Sequence, residues 1–150
     1  MTRLADQEAR DRIRDDLGTT LVVEAASGTG KTTELVTRMV ALLTAGRARL
    51  DHMVAVTFTD AAAGELKLRL RKAIEEARRA RPAEALDDAL RQLEEARIGT
   101  IHSFCADLLR ERPVEAGVDP LFAVAPRDVA EGLLDRAFDR WFEETLANPG

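Results

Sequence analysis

One segment constrains the fold more than any other, because an apolar stretch, a glycine-rich loop and a helical pattern follow one another without a break. Residues 20–24 are typical of a strand, residues 25–32 form the loop, and residues 33–45 have the spacing of an amphipathic helix. Gly28 and Gly30 allow the backbone to turn tightly and to bring its N–H groups against phosphate oxygens. The start of the following helix adds partial positive charge. This order of elements predicts a phosphate-binding loop.

Lys31 and Thr32 indicate which phosphate compound the loop binds. A lysine at this position reaches the β- and γ-phosphates of a nucleoside triphosphate, and the hydroxyl beside it is a ligand for Mg²⁺. The general pattern of such loops begins with glycine, where this chain has Ala25. The alternative interpretation is a glycine-rich turn between a strand and a helix that binds no ligand.

The composition limits what the rest of the chain can do. Its 150 residues suit one domain, or one domain with part of another, and 45% of them are hydrophobic. A net charge of −5 provides no overall basic field for nucleic acid, so any such contact must use local groups. Because the sequence has no secretory signal and no membrane-length apolar run, we expect a cytoplasmic protein without a membrane partner. The single cysteine, Cys105, excludes an intramolecular disulfide and is expected to be buried.

The remaining apolar patterns predict alternating helices and strands. Residues 53–58 and 98–101 are typical of strands, and the first of them follows the strand at 20–24 at the distance that a βαβ unit requires. Thr59 or Asp60 is expected to cap the next helix, and Gly46 to end the one before it. The predicted fold class is α/β, with a parallel sheet and flanking helices. Further helices are predicted at residues 4–17, 83–97, 102–112 and 127–147. Another is predicted after residue 60, with Leu66, Leu70 and Ile74 on one face. Residues 114–126 are expected to form an irregular connection.

Polar side chains follow two of the predicted strands where those strands end. Thr57, Phe58 and Thr59 come after one strand, and Thr100 and His102 after another. In an open parallel sheet, ligands bind at the carboxyl ends of the strands, and a phenylalanine there can stack on a base. Together with the phosphate-binding loop, these ends predict a polar rim that holds a nucleotide beside an extended polyanion. The alternative is a buried phenylalanine followed by ordinary helix caps.

These three segments together resemble the N-terminal motor domain of superfamily 1 DNA helicases of the UvrD/Rep type. Residues 25–32 resemble the first motif of that family, in which alanine at the leading position is usual. Residues 56–62 are similar to motif Ia and residues 100–105 to motif Ib, in the order that the family has. Residues 109–120 look most like the RecB/AddA branch, the helicase–nucleases of double-strand break processing.

The resemblance implies a fold, a reaction and a role for each matching residue. The fold is the RecA-like parallel sheet of P-loop NTPases, the cofactors are ATP and Mg²⁺, and the reaction is ATP-driven 3′–5′ unwinding in DNA repair and recombination. Lys31 and Thr32 would be catalytic, with the Thr32 hydroxyl on Mg²⁺, and Gln7 would read the adenine. The partners would be single-stranded DNA, DNA duplex ends and a helicase–nuclease partner subunit. The implied ATP-binding residues are Gln7, Ala25, Ala26, Ser27, Gly28, Thr29, Gly30, Lys31, Thr32 and Thr33, and the implied DNA-binding residues are Thr57, Phe58, Thr59, Thr100 and His102.

Part of the catalytic machinery of that family is not found in this sequence. Hydrolysis also requires a strand that ends in Asp-Glu, and arginines from a second motor domain. The acidic pairs Asp87-Asp88 and Glu143-Glu144 lie in helical patterns instead. We therefore expect residues 1–113 to be the N-terminal part of motor domain 1A, residues 114–150 to begin the helical accessory subdomain 1B, and the piece alone to be inactive.

Two other interpretations are open at this point. A small P-loop kinase needs an arginine-rich lid, but in that protein the two polar strand ends would have no role. The second interpretation is a truncated fragment that folds poorly and has no activity, because the wide aromatic face of the helix at residues 127–147 needs a partner. The arginines available for a kinase lid are Arg69, Arg71, Arg78, Arg79 and Arg81.

Overall fold

The structure is a computed structural model that describes residues 5–147, except for the side chain of Arg127. The chain divides into two compact units, of which the first ends at Phe104 and the second begins at Cys105. Leu4, where the first predicted helix begins, lies outside the described residues. The expected domain boundary after residue 113 stays a prediction.

Parallel strands and packed helices build the first unit. Strand β1 (Val54–Thr57) pairs with strand β2 (Arg97–Thr100), so that Val54 lies beside Arg97 and Thr57 beside Thr100. Helices occupy the chain between the two strands, as a parallel crossover requires. The α/β class with a parallel sheet is thereby confirmed. The helices are α1 (Gln7–Asp15), α2 (Lys31–Thr44), α3 (Asp60–Ala80) and α4 (Glu84–Gln92), with short 3₁₀ turns at Leu50–His52 and Leu93–Glu95.

Aliphatic side chains at helical spacing form the core of this unit. Leu66, Leu70 and Ile74 of α3 are at most 2% exposed, as their four-residue spacing predicts. Helix α3 contacts α2, α4 and both strands, so it lies at the centre of the unit. Burial of each such side chain contributes about 1.5–3 kcal/mol. The other large side chains that are fully buried in this core are Leu43, Leu50, Leu86 and Leu93.

Two helix ends have the caps that their sequences favour. The Thr59 side chain accepts a hydrogen bond from the Ala62 N–H at 3.1 Å, so Thr59 is the cap of α3. Asp60 is the first helical residue, where a carboxylate favours the helix dipole. At the end of α2, Gly46 has a φ of 61° and donates its N–H to the Leu43 carbonyl at 3.0 Å. The predicted helix end at Gly46 is therefore confirmed.

The strand predicted at residues 20–24 is not formed. Residues 20–26 have no regular secondary structure, and Val22 and Val23 are 96% and 45% exposed. A strand needs a neighbour for its N–H and C=O groups, and within the described residues the sheet consists of β1 and β2. This backbone is exposed to water, which can satisfy those groups instead. The prediction from the apolar pattern alone is wrong.

The helix predicted at residues 83–97 is shorter than expected. Helix α4 ends at Gln92, and Arg97 already belongs to β2. Pairing of Arg97 with Val54 overrides the helical pattern there, because tertiary contacts outweigh weak local propensity. The strand predicted at residues 98–101 is confirmed with a shift of one residue, since Ile101 begins the next helix.

Helices α5 (Ile101–Glu111), α6 (Pro113–Ala116) and α7 (Arg127–Ala147) follow β2, and α7 has the predicted bounds. The expected irregular connection thus contains one short helix, which Pro113 begins because its fixed φ suits a first helical turn. Only Ala106 of α5 is buried, so Cys105 beside it is exposed, which corrects the expectation of a buried thiol.

The aromatic side chains of α7 contact one another. The Phe138 ring centroid lies 5.7 Å from that of Trp141 and 6.1 Å from that of Phe142, and at least half of each side chain is exposed. Within residues 5–147, no helix combines the length and the apolar composition that crossing a membrane requires.

Candidate phosphate-binding loop and strand-end surface

Two glycines with left-handed backbone shape the loop that precedes α2. Gly28 has a φ of 78° and Gly30 a φ of 93°. Residues with a side chain rarely adopt such angles, so both positions favour glycine. Gly30 is also the N-cap of α2, which brings the loop to the positive end of the helix dipole. The loop therefore has the backbone conformation and the helix end that anion sites use.

Lys31 and Thr32 are the first two residues of α2. The Lys31 ammonium donates to the carbonyls of Ala25 and Ala26 at 2.6 and 2.7 Å, so it folds back over the loop. A phosphate bound there would replace those neutral acceptors with charged ones, which make stronger hydrogen bonds. The Thr32 side chain is exposed, and its hydroxyl is the hard oxygen ligand that Mg²⁺ prefers. The chemistry of these residues fits a phosphate group, and the Thr32 hydroxyl fits one ligand position on the expected metal.

An arginine of α1 joins that helix to the loop and to α2. The Arg10 guanidinium donates to Glu34 Oε1 at 2.6 Å, to the Thr29 carbonyl at 2.9 Å and to Asp6 Oδ2 at 2.8 Å. The hydrogen bond from Arg10 lowers the pKa of Asp6, and the bonds to Asp6 and Glu34 raise the pKa of Arg10. The sequence shows the four-residue spacing of Asp6 and Arg10 but gives no sign of the contact with Glu34, which lies 24 residues away.

Gln7, which is expected to read the adenine, lies on α1 three residues before Arg10. Its amide donates to Asp11 Oδ1 at 3.0 Å, and this bond lowers the pKa of Asp11. Part of its hydrogen-bonding capacity is therefore used within α1, and its role at adenine stays a prediction. Ser27 and Thr33, the other side chains expected at ATP, are exposed.

The structure brings two of the predicted strand ends together. Thr57 and Thr100 are paired in the register of β1 and β2 and end their strands side by side. The Thr57 hydroxyl donates to the Thr59 carbonyl at 2.9 Å, and Thr100 Oγ1 accepts from the Ser103 N–H at 3.3 Å at the start of α5. Within the described residues, the segment before the phosphate-binding loop does not join this sheet. The predicted rim thus has two adjacent strand ends rather than three.

The side chains beside these threonines are exposed. Phe58 is 98% exposed, so the alternative of a buried phenylalanine is wrong. His102 is exposed in the first turn of α5, two residues after Thr100. Thr59 is exposed as well, although its hydroxyl caps α3. We refer to Thr57, Phe58, Thr59, Thr100 and His102 as the strand-end surface.

A comparison with known families decides which proteins this chain is related to. The family model for the UvrD/REP helicase N-terminal domain matches residues 5–148. The chain belongs to the UvrD/REP helicase family. This confirms the family that the three segments resemble and excludes the small P-loop kinase.

Curated relatives of this UvrD/REP chain are named as ATP-dependent helicase/nuclease subunits. The relative from Heliobacterium modesticaldum is 36% identical over 135 residues, that from Desulforamulus reducens 39% over 147, and that from Alkaliphilus metalliredigens 40% over 134. The matches cover 87%, 93% and 87% of this chain but 10%, 12% and 11% of the relatives. The chain therefore spans about a tenth of their length. These relatives confirm the resemblance to the RecB/AddA branch.

The acidic pairs of the UvrD/REP chain lie on helices. Asp87 and Asp88 belong to α4, and Glu143 and Glu144 belong to α7, so neither pair ends a strand. No group of three or more His, Cys, Asp or Glu side chains in the described residues is placed to hold a metal ion. Four of the five arginines considered for a kinase lid form ion pairs instead, Arg69 with Glu65, Arg71 with Glu94, Arg78 with Asp87 and Arg79 with Glu75.

Proposed function

We propose that this chain is the N-terminal, ATP-binding part of an ATP-dependent 3′–5′ DNA helicase that acts in DNA repair and recombination. The observation that carries the proposal is the loop, in which left-handed Gly28 and Gly30 lead directly to Lys31 at the start of α2. Membership in the UvrD/REP family supports it. The proposed fold is the RecA-like fold of P-loop NTPases, with residues 1–113 in motor domain 1A and residues 114–150 at the start of subdomain 1B.

The loop is proposed to bind the phosphates of ATP. Its backbone N–H groups would cradle the phosphate oxygens, and Lys31 would exchange its carbonyl acceptors for the β- and γ-phosphates. Thr32 would hold Mg²⁺, which when bound neutralises charge on those phosphates. Activation of water and stabilisation of the transition state would need an acidic pair at the end of a strand and arginines of a second motor domain, whereas in the described residues both acidic pairs lie on helices. These residues therefore supply the binding half of the site.

The strand-end surface is proposed to bind single-stranded DNA. Thr57 and Thr100 are paired at the strand ends, and the Thr57 hydroxyl would exchange the Thr59 carbonyl for a phosphate oxygen, a contact that does not read sequence. The exposed Phe58 ring can stack on a base, which contributes about 1–3 kcal/mol and tolerates any sequence. With a net charge of −5, the chain has no overall basic field that would attract DNA, so binding depends on these local groups.

The partners of the whole protein follow from its relatives. Those relatives are named as subunits of a helicase/nuclease, so we propose that the whole protein acts on DNA duplex ends with a helicase–nuclease partner subunit. We also propose that the whole protein works in the cytoplasm.

Lys31→Ala in the full-length protein tests the proposal. We expect DNA-stimulated ATP hydrolysis and unwinding to fall by at least about a hundred-fold, because the charge that meets the β- and γ-phosphates is lost. Lys67→Ala is the matched control, since Lys67 of α3 donates to the Glu94 carbonyl at 2.9 Å and belongs to neither candidate ligand surface, and it should keep both activities. Unwinding by Lys31→Ala at the wild-type rate would refute the motor assignment.

A further inference from the structure

Arg10 contacts the phosphate-binding loop itself, although it belongs to α1. Its Nη2 donates to the Thr29 carbonyl at 2.9 Å, and a Cβ atom at Gly30 would lie 3.5 Å from its Nη1. The guanidinium therefore packs against the Thr29–Gly30 peptide, immediately before Lys31. None of the roles proposed above for the loop uses this contact.

The orientation of the Thr29–Gly30 peptide determines on which side of the loop the Gly30 N–H is available as a hydrogen-bond donor. In a trans peptide the C=O and the N–H point in opposite directions. Because Arg10 holds the Thr29 carbonyl toward α1, the Gly30 N–H lies on the side of the loop away from α1. Glycine has wide backbone freedom, so an external contact on the Thr29–Gly30 peptide restrains a bond that Gly30 itself leaves free to rotate. Arg10 supplies that restraint.

Arg10 also offsets a negative charge beside the loop. Glu34 lies in the first turn of α2, three residues after Lys31, where an unpaired carboxylate would repel a bound triphosphate. Arg10 pairs with it at 2.6 Å, and the two side chains are only 22% and 18% exposed. Asp6 occupies another edge of the guanidinium. With its donors directed at two carboxylates and a carbonyl, Arg10 acts on the loop rather than on the phosphate.

We propose that Arg10 is a positioning residue for nucleotide binding, which fixes the Thr29–Gly30 peptide for phosphate contact and neutralises Glu34. The inference rests on the ATP site proposed above. Helix α1 has a second attachment, because Arg38 of α2 donates to the carbonyls of Ile13, Asp16 and Thr19 at 2.7, 2.8 and 3.0 Å. Variants at position 10 are therefore expected to fold with α1 in place.

The test compares Arg10→Gln and Arg10→Lys with a matched control, Arg14→Gln, in the full-length protein. Arg14 lies on the same helix and pairs with Asp11 and Asp15 of α1. The dissociation constant for Mg²⁺·ADP is measured with a fluorescent ADP analogue, and thermal unfolding of each variant is recorded. We expect Arg10→Gln to weaken ADP binding about ten-fold, the scale of one lost charge-assisted hydrogen bond. Arg10→Lys should weaken it less, and Arg14→Gln should leave it unchanged.

Two further measurements separate positioning from a general effect on folding. In Arg10→Gln/Glu34→Gln the unpaired carboxylate is also removed, so part of the lost affinity should return. Amide hydrogen exchange without nucleotide should become faster in residues 25–31 of Arg10→Gln, while exchange in α3 stays at the wild-type rate. Loss of folding stability alone would accelerate exchange throughout the first unit.

The outcomes distinguish this inference from the proposal on which it rests. ADP binding by Arg10→Gln within about two-fold of wild type, while Lys31→Ala loses binding, overturns the positioning role alone. Equal losses in Arg10→Gln and Arg14→Gln also overturn it, because they would reflect the stability of α1. Absence of ADP binding by the wild-type protein overturns the proposed ATP site and this inference with it.

Discussion

At the scale of single residues, the two candidate ligand surfaces differ in how their side chains are held. Lys31 already makes two hydrogen bonds to loop carbonyls, at 2.6 and 2.7 Å, so the proposed nucleotide binding would exchange one set of acceptors for another. Phe58 is 98% exposed and packs against nothing that could explain a phenylalanine there. An exposed aromatic ring contributes little to folding, since it removes almost no apolar surface from water. Its contribution is expected in binding.

Phe58→Ala in the full-length protein is expected to weaken binding of single-stranded DNA by about five- to 150-fold, because one base loses its stacking partner. Thermal stability should not change. Leu68→Ala is the control, since Leu68 is a 70% exposed apolar side chain of α3 that is not part of the strand-end surface. Fluorescence anisotropy with a thymidine oligonucleotide measures the affinity. Equal affinities of Phe58→Ala and wild type would contradict the role of the strand-end surface.

At the scale of elements, β1 and β2 form where the sequence predicts strands, but the strand predicted at residues 20–24 does not form. The stripe of Leu66, Leu70 and Ile74 locates α3, because the backbone hydrogen bonds of a helix lie within its own segment. A strand takes its partners from elsewhere, so residues 20–24 remain irregular despite their apolar pattern. Pairing with Val54 likewise draws residue 97 out of a predicted helix.

The cap of α3 offers a direct test at this scale. Thr59→Ala is expected to destabilise the first turn by about 1 kcal/mol, because the Ala62 N–H loses its acceptor. Amide hydrogen exchange of residues 60–64 should become faster. Asp60→Ala keeps the hydroxyl cap and should have a smaller effect. A larger effect of Asp60→Ala would show that the charge, and not the hydroxyl, stabilises this helix end.

At the scale of the whole molecule, the sequence predicts which chemical groups a site would use but not how the fold places them in space. Gly28, Gly30 and Lys31 predict a phosphate-binding loop from their local spacing, and the structure has the tight turn before α2 that this prediction requires. The side-by-side placement of Thr57 and Thr100 depends on strand register, which the sequence does not display. The contact between Arg10 and Glu34 spans 24 residues and is likewise invisible to any local pattern.

A protein of residues 1–150 is expected to show no DNA-stimulated ATP hydrolysis above the level of its Lys31→Ala variant. The loop is present, but both acidic pairs lie on helices and no second motor domain supplies arginines. Phosphate release with and without single-stranded DNA measures this. DNA-stimulated hydrolysis that Lys31→Ala abolishes would show that these residues contain a complete site.

The pairing of Arg10 with Glu34 has an evolutionary consequence. Loss of Glu34 leaves Arg10 still bound to Asp6 and to the Thr29 carbonyl, so that mutational step costs little. Loss of Arg10 first leaves the Glu34 carboxylate unpaired in the first turn of α2, beside the proposed phosphate site. The pair can therefore be lost at little cost when Glu34 is replaced first, but not when Arg10 is replaced first. Among descendants of a common ancestor, a neutral residue at position 34 is expected to accompany Arg10 more often than a lone Glu34 accompanies a neutral residue at position 10.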